Sequence, residues 1–285
     1  MKISIFYFSG TGNTWWVTQK IKEIFEEKGH FVEKYSIERK DLNWEELLPK
    51  ILNDSDFIGV GFPVYGSRIP FIMRDWVKNT LCTFSQKQKK KIKAFVYDTM
   101  AMFSGDTPLL MKRLLKKGNF QVKQAINIRT LSNIPQMKSL MTWEKEKQKK
   151  IFDNAEKKIR KFVDKIIKNK KWLMRRDPFT RFVAILQRVG FIWEENRFRN
   201  LFTIDSDICN LCKICVEYCP VDNLSIEETI DKPEVKYGPN CIFCMRCFNN
   251  CPVNAIIVMK RTRNVEKYRR FRDQIPNFKL SLIKE

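Results

Sequence analysis

Cys209, Cys212, Cys215 and Cys219 are followed by Pro220, and the same pattern returns as Cys241, Cys244, Cys247 and Cys251 followed by Pro252. Each run reads C-x2-C-x2-C-x3-C-P, and together they hold eight of the nine cysteines in the chain. Three thiolates with two residues between neighbours on a tight loop can reach three corners of an iron-sulfur cube, while the fourth must arrive from elsewhere. The proline ends each run and removes one backbone donor. Structural zinc is the competing chemistry, because C-x2-C pairs also build tetrahedral thiolate sites. Zinc needs only two cysteines per short loop, so the third in each triplet would be surplus. Extracellular disulfide frameworks spread their cysteines along the chain, and this crowding reads as metal ligation first.

The doubled run resembles the bacterial two-cluster ferredoxins, and Asn254-Ala255-Ile256 after it resembles their returning strand. The similarity extends over residues 204–259. It implies that the fourth cysteine of each run serves the other cluster. Cys209, Cys212, Cys215 and Cys251 would then hold one 4Fe-4S cluster, and Cys241, Cys244, Cys247 and Cys219 the second.

A second constellation lies at the other end of the chain. Ser9-Gly10-Thr11-Gly12-Asn13-Thr14 joins a short apolar run to a segment of helical spacing. A helix N-terminus with small hydroxyl residues and free amides is a ready anion site. The loop is neither a Walker A sequence nor a G-x-G-x-x-G turn. It resembles the phosphate loop of the flavodoxins, which implies FMN, with hydroxyls from Ser9, Thr11 and Thr14 and amides from Gly12 and Asn13. In the flavodoxin strand order the ligand sits at the carboxyl ends of the strands. That brings in Pro63-Val64-Tyr65-Gly66 after the third strand and Thr99, Met100 and Phe103 after the fourth. Tyr65 is placed to stack on the isoalloxazine, and Met100 or Phe103 to cover an edge. Asp98 and Asp106 are nearby, as a proton relay or as helix caps. Trp15 and Trp16 read as helix-packing residues, and Cys82 as a buried apolar thiol.

The elements that must carry these loops alternate. Strands are expected near 3–8, 31–37, 56–61, 92–98 and 121–130, with helices near 14–28, 43–52, 69–80 and 106–117. A long amphipathic helix spans 144–171. Five βα steps imply an α/β fold, a doubly wound parallel five-stranded sheet in the flavodoxin-like order 2-1-3-4-5. Expected divisions are an FMN-binding unit at 1–171, a helical basic and aromatic connector at 172–203, a small α+β ferredoxin unit at 204–259 and a basic tail at 260–285. In the connector Trp172, Phe179, Phe182, Phe191, Trp193, Phe198 and Phe202 are interspersed with charge, and Pro178 and Gly190 are breakers.

Charge bounds the partners. Lys and Arg number 54 against 32 Asp and Glu, a formal net charge of +22. At 44% apolar residues the chain is too hydrophobic for disorder. The balance predicts an acidic redox protein as donor or acceptor, meeting the runs Lys87 to Lys93, Arg175 to Arg199 or Lys260 to Arg272. An anionic membrane surface suits the Arg- and Phe-rich connector. Nucleic acid is not expected, because no binding module accompanies the charge. With no long apolar stretch and no leader pattern, a cytoplasmic location is expected. One histidine, His30, excludes a His-based triad. The expected function is electron transfer between FMN, two 4Fe-4S clusters and an external partner. The alternative is an FMN-dependent reductase of a small acceptor, fed by the clusters.

Overall fold

The computed structural model describes residues 1–134, 141–174, 177–199, 201–228 and 233–284, with side chains described outside 192–199. Arg175 therefore lies outside the described residues, and the side chains of Trp193, Phe198 and Arg199 outside the described side chains.

Parallel strands β1 (Lys2–Tyr7), β2 (Phe31–Ser36), β3 (Phe57–Pro63), β4 (Ile92–Met100) and β5 (Phe120–Arg129) pair in the order β2-β1-β3-β4-β5. A sixth strand, β6 (Trp172–Leu173), extends this sheet beyond β5, pairing Gln124 with Trp172 and Ala125 with Leu173. The expected five strands thus become six. A two-residue strand has no periodicity to read, and Trp172 enters the sheet through its partners rather than its own pattern.

Side-chain alternation divides the sheet into two covered faces. Ile3, Ile5 and Tyr7 of β1 face α1 (Asn13–Glu26) and α6 (Lys145–Ile167), where Val17, Ile21, Ile159 and Phe162 meet them. Phe6, Phe8, Val60 and Phe62 face the other layer with α2 (Trp44–Asp54), α3 (Phe71–Trp76), which runs through one π turn into α4 (Cys82–Ser85), and α5 (Thr107–Lys117). Because all connections cross over in this way, the loops holding Gly10, Val64 and Met100 emerge at one end of the sheet.

After β6 the chain enters α7 (Pro178–Arg199), with Pro178 at its start, where a missing N–H costs nothing. Gly190 lies inside this helix and does not break it. The small second unit contains β7 (Phe202–Ile204), α8 (Ile214–Glu217), β8 (Leu224–Glu227), β9 (Glu234–Tyr237), α9 (Arg246–Asn250) and β10 (Ile256–Val258). β7 pairs antiparallel with β10, and β8 with β9. The first strand of each cysteine repeat pairs with the last strand of the other repeat, so the two halves interlock. Its core gathers Phe202, Leu224, Phe248 and Ile256 around the cysteines. The two ends of the expected connector are thereby taken into neighbouring sheets, as β6 and β7.

Residues beyond β10 are not a loose basic tail. Phe271 and Ile275 are buried in the core under α1 and α6, and Phe278 and Leu282 pack against it. No helix among the described residues is long and apolar enough to cross a membrane.

Candidate redox site

Two cavities in the second unit are each ringed by four cysteines. One, of about 350 Å³, is lined by Cys219, Cys241, Cys244 and Cys247. The other, of about 340 Å³, is lined by Cys209, Cys212, Cys215 and Cys251. The lone fourth cysteine of each run thus reaches the cavity made by the other triplet. Among the described residues no three His, Cys, Asp or Glu side chains meet at one point as a single ion requires; the eight thiols surround two spaces instead.

The loops achieve this with left-handed residues at matching places. Leu211 and Lys213 have φ of 53° and 62°, Phe243 and Met245 have 55° and 60°, and Asp222 and Asn254 have 47° and 59°. Such turns aim backbone N–H groups inward, as anion-binding nests do. Backbone amides donate to sulfur, among the described residues Asn223 N to Cys219 Sγ at 3.1 Å, Phe243 N to Cys241 Sγ at 3.3 Å and Ala255 N to Cys251 Sγ at 3.1 Å. Burial pushes the Cys215 thiol up to about 11 and the Cys244 thiol up to about 12, and raises Cys247 well above the ordinary thiol range. Thiols held that high need a metal to ionise them. Four thiols with amide donors around a closed, largely apolar space fit an iron-sulfur cube. Cys82 stands apart, a buried thiol beneath Gly118.

At the carboxyl end of the main sheet, a cleft of about 540 Å³ is lined by Gly10, Thr11, Asn13 and Thr14, with Pro63 and Thr99 opposite. It continues through Val64, Tyr65, Met100 and Ala101 into a wider cavity of about 1590 Å³, where Gly66, Met102 and Phe103 are joined by Phe191, Phe243 and Met245. The inner end is polar and backed by the start of α1, whose first-turn amides have no helical acceptor. The outer end is rich in sulfur and aromatic groups. This polarity fits a ligand with a phosphate at one end and a flat ring at the other, such as FMN.

The sequence-predicted residues divide in their roles. Ser9 does not line the cleft; its Oγ accepts from Gly12 N and Trp15 N, both at 3.2 Å, and fixes the loop. Thr14 Oγ1 is 2.8 Å from Thr99 Oγ1, joining the first and fourth loops. Gly12, left-handed at φ 98°, lies beneath the Phe278 ring. Tyr65 lines both spaces, with its Oη enclosed and unpartnered beside Gly10. Asp106 occupies the N-cap position of α5, but its carboxylate accepts from Arg188 Nη1 of α7 at 2.6 Å. Asp98 is fully buried in β4, both oxygens unpartnered, and burial holds its carboxyl well above the ordinary range against the pull of Lys158.

Sequence reasoning missed three contributors. The loop after β5 lines the cleft through Thr130, Ser132 and Asn133, and the rule that ligands sit at strand carboxyl ends already pointed there. Helix α7 closes the outer cavity. A Cβ on Gly66 would come within 2.2 Å of Phe191, and one on Gly105 within 2.5 Å of Ala184. Both glycines have positive φ, so two tight turns let the helix settle on the cleft. Ser67 Oγ donates to Gln187 Oε1, and Arg188 Nη1 also donates to Ser67 O at 3.3 Å.

The third contributor is Arg246, two residues beyond Cys244 and 1% exposed. Its Nε donates to Gly10 O at 2.9 Å and its Nη2 to Ser9 O at 2.7 Å, both in the glycine loop. The two Nη atoms also pair bidentately with Glu38, at 2.8 Å each. Nearby, Asn133 Nδ2 donates to Thr11 Oγ1 at 2.9 Å and to Cys244 O at 3.3 Å. A Cβ on Gly10 would stand 3.0 Å from Cys244 O, so glycine is what admits the cysteine loop. Nothing in the sequence pattern marks an arginine as the link to a glycine 236 residues earlier in the other unit.

A parallel sheet in flavodoxin-like order, an anion-binding first loop and two cysteine-ringed cavities define an electron-transfer protein that combines a flavodoxin-like unit with an iron-sulfur one. Residues 201–252 match the model of the 4Fe-4S dicluster domain. A ferredoxin of Methanothermococcus thermolithotrophicus is 41% identical over 58 residues, 20% of this chain and 93% of its own length. The archaeal-type glutamate synthase [NADPH] of Dehalococcoides mccartyi is 37% identical over 59 residues, and the match spans 12% of its length. Among solved structures, a flavodoxin from the domain Archaea covers 56% of this chain and 99% of its own, with 20% identity and a TM-score of 0.37. The two-electron reduced flavodoxin of Megasphaera elsdenii covers 48% and 94%, with 24% identity and a TM-score of 0.37. Through its cysteine unit the chain belongs to the 4Fe-4S dicluster ferredoxins, and the parallel sheet that precedes this unit has the flavodoxin-like strand order.

Proposed function

We propose that this protein relays electrons between FMN, two 4Fe-4S clusters and an external redox partner. The observation that carries the reading is the contact between Cys244 and the glycine loop. The residues that line the outer flavin cavity, Phe243 and Met245, flank Cys244 in sequence and share its loop. A flavin exchanges one or two electrons and each cluster one, so their combination lets an electron pair be handled in single steps.

The chain's own residues set the route. Arg246 and Asn133 hold the Cys244 loop against the flavin cleft, making the cavity of Cys219, Cys241, Cys244 and Cys247 the proximal one. The cavity of Cys209, Cys212, Cys215 and Cys251 is distal, and Cys212 beside Lys213 is exposed there. An acidic redox protein would exchange electrons at that edge, steered by the net charge of +22.

Anaerobic purification with iron, sulfide and flavin quantification tests the reading. The expected result is about eight iron and eight sulfide per chain with one FMN. Zinc in place of iron, or no flavin absorption, would overturn it. A second reading, reduction of a small acceptor, draws on the width of the outer cavity, beside which Met102 is 61% exposed. Steady turnover of a soluble quinone without a second protein would favour it.

A further inference from the structure

Helix α7 has two unlike faces. Its inner face, with Ala184, Gln187 and Phe191, closes the flavin cavity. The outer face presents Phe179, Phe182, Ile185, Leu186 and Val189, exposed by 74%, 58%, 52%, 55% and 53%. At 100° per residue these five fall within a stripe of roughly 120°, opposite the inner face. Contiguous exposed apolar groups of this size mark an interaction site.

Charge decides what covers it. Between Pro178 and Trp193 the charged residues are Arg181, which is exposed, and Arg188, which turns inward to Asp106, and no acid occurs before Glu194. The sequence leading into the helix, residues 168–177, carries five Lys and Arg against one acid, Asp177. A second copy of this chain would bring another charge of +22 to the same face, which opposes pairing. A bilayer surface bearing anionic headgroups satisfies both halves: apolar side chains enter the headgroup and acyl boundary while Arg181, exposed beside the stripe, and the chain's net charge of +22 meet phosphate.

We propose that the outer face of α7 docks this protein on an anionic lipid surface. The helix lies flat, with the stripe inserted and the flavin cleft about 10–12 Å away, one helix diameter. The inference rests on α7 and the charge of the chain and is independent of which cofactors the two units hold, so it fails or stands separately from the proposed function.

Co-sedimentation of the full chain with extruded vesicles tests it. Vesicles of phosphatidylcholine with phosphatidylglycerol should retain the protein, phosphatidylcholine alone should retain little, and added salt should release it. Phe182→Ser combined with Leu186→Ser should weaken partitioning about tenfold or more, with circular dichroism and iron content unchanged. Should that pair fail to fold, Phe179→Ser alone, at the most exposed position of the stripe, should weaken it about threefold. Absent binding to anionic vesicles, or undiminished binding by the variants, would overturn the proposal. So would gel filtration showing a wild-type dimer that the variants dissolve, or capture of an acidic protein that depends on the stripe while vesicle binding does not.

Discussion

Arg246 is a buried cation whose cost is offset by five hydrogen bonds to four neighbours, Ser9 O, Gly10 O, Tyr218 O and both carboxylate oxygens of Glu38. Burial alone would lower its pKa, but the Glu38 carboxylate more than offsets this and the guanidinium stays charged. Its planar fork serves Glu38 on one edge and two loop carbonyls on the other, a geometry that lysine cannot reproduce. Arg246→Leu leaves the Glu38 carboxylate, 6% exposed, without its partner. The expected loss is about 3–5 kcal/mol in chemical denaturation, and Arg246→Lys should recover only part of it. Glu38→Gln combined with Arg246→Leu should cost less than Arg246→Leu alone, because no charge is then stranded. Asp98 makes the opposite case, a buried carboxyl with no hydrogen-bond partner. Its folded pKa lies above the ordinary 3.8, so the folded protein keeps a proton that the unfolded chain releases. That contribution to stability is present in full below about pH 4 and declines as pH rises toward the folded value. Asp98→Asn cannot ionise. Melting curves at pH 5 and pH 8 should show the variant gaining on the wild type at the higher pH, by about 1–3 kcal/mol.

At the scale of elements, the cleft is made of loops but its closure is made of a helix. α7 seats on Gly66 and Gly105, and Phe191 fills the space that a side chain at Gly66 would need. Gly66→Val adds both a β-branched residue at φ 56° and an overlap with Phe191. The variant should lose FMN about tenfold more readily by fluorescence titration, while iron and sulfide per chain stay unchanged. The alternation of strands and helices was legible because each long element carries its own period, and the cysteine runs because metal ligation fixes spacing. The place of the glycine loop between β1 and α1 was legible because small, hydroxyl-bearing residues there mark the step from a strand to a helix start. β6 was not, since Trp172 and Leu173 are too few to show alternation. Nor was the lid: Phe179, Phe182 and Phe191 read alike in sequence, and only the seating on two glycines separates the ring turned inward from those left outside. Arg188 likewise reads as one more surface charge until Asp106, 82 residues earlier, is found opposite it.

For the molecule as a whole, the chain after β10 decides whether the two units behave as one. Arg270 stacks on Phe248 of α9 at 3.6 Å, and Arg272 Nη2 donates to Cys251 O at 2.9 Å, tying this segment to the cysteine unit. Phe271 N donates to Asn249 Oδ1 at 2.9 Å while its ring enters the core under α1 and α6. Gln274 then accepts from Gln148 of α6 at 2.9 Å, Phe278 covers Gly12 and Trp15, and Lys284 donates to Glu217 O at 2.7 Å. The segment therefore crosses from one unit to the other and returns, over the glycine loop. It reads in sequence as a basic tail, yet Phe271, Ile275, Phe278 and Leu282 recur at four, three and four, the spacing of a packed strip. With this strap and the Arg246 bridge both in place, unfolding of the sheet costs the cysteine unit its support. Tryptophan fluorescence, which reports Trp15 and Trp16 in the sheet core, and cluster absorbance should then fall together in one thermal transition. Ile275→Ala with Phe278→Ala removes the strap's apolar anchors at about 3–6 kcal/mol in total. That variant should separate the two signals, with cluster absorbance lost at the lower temperature, because the smaller unit buries the smaller share of its surface on its own. Two coincident transitions in the variant would mean that Arg246 alone couples the units, and two separate transitions already in the wild type would mean that the strap couples nothing.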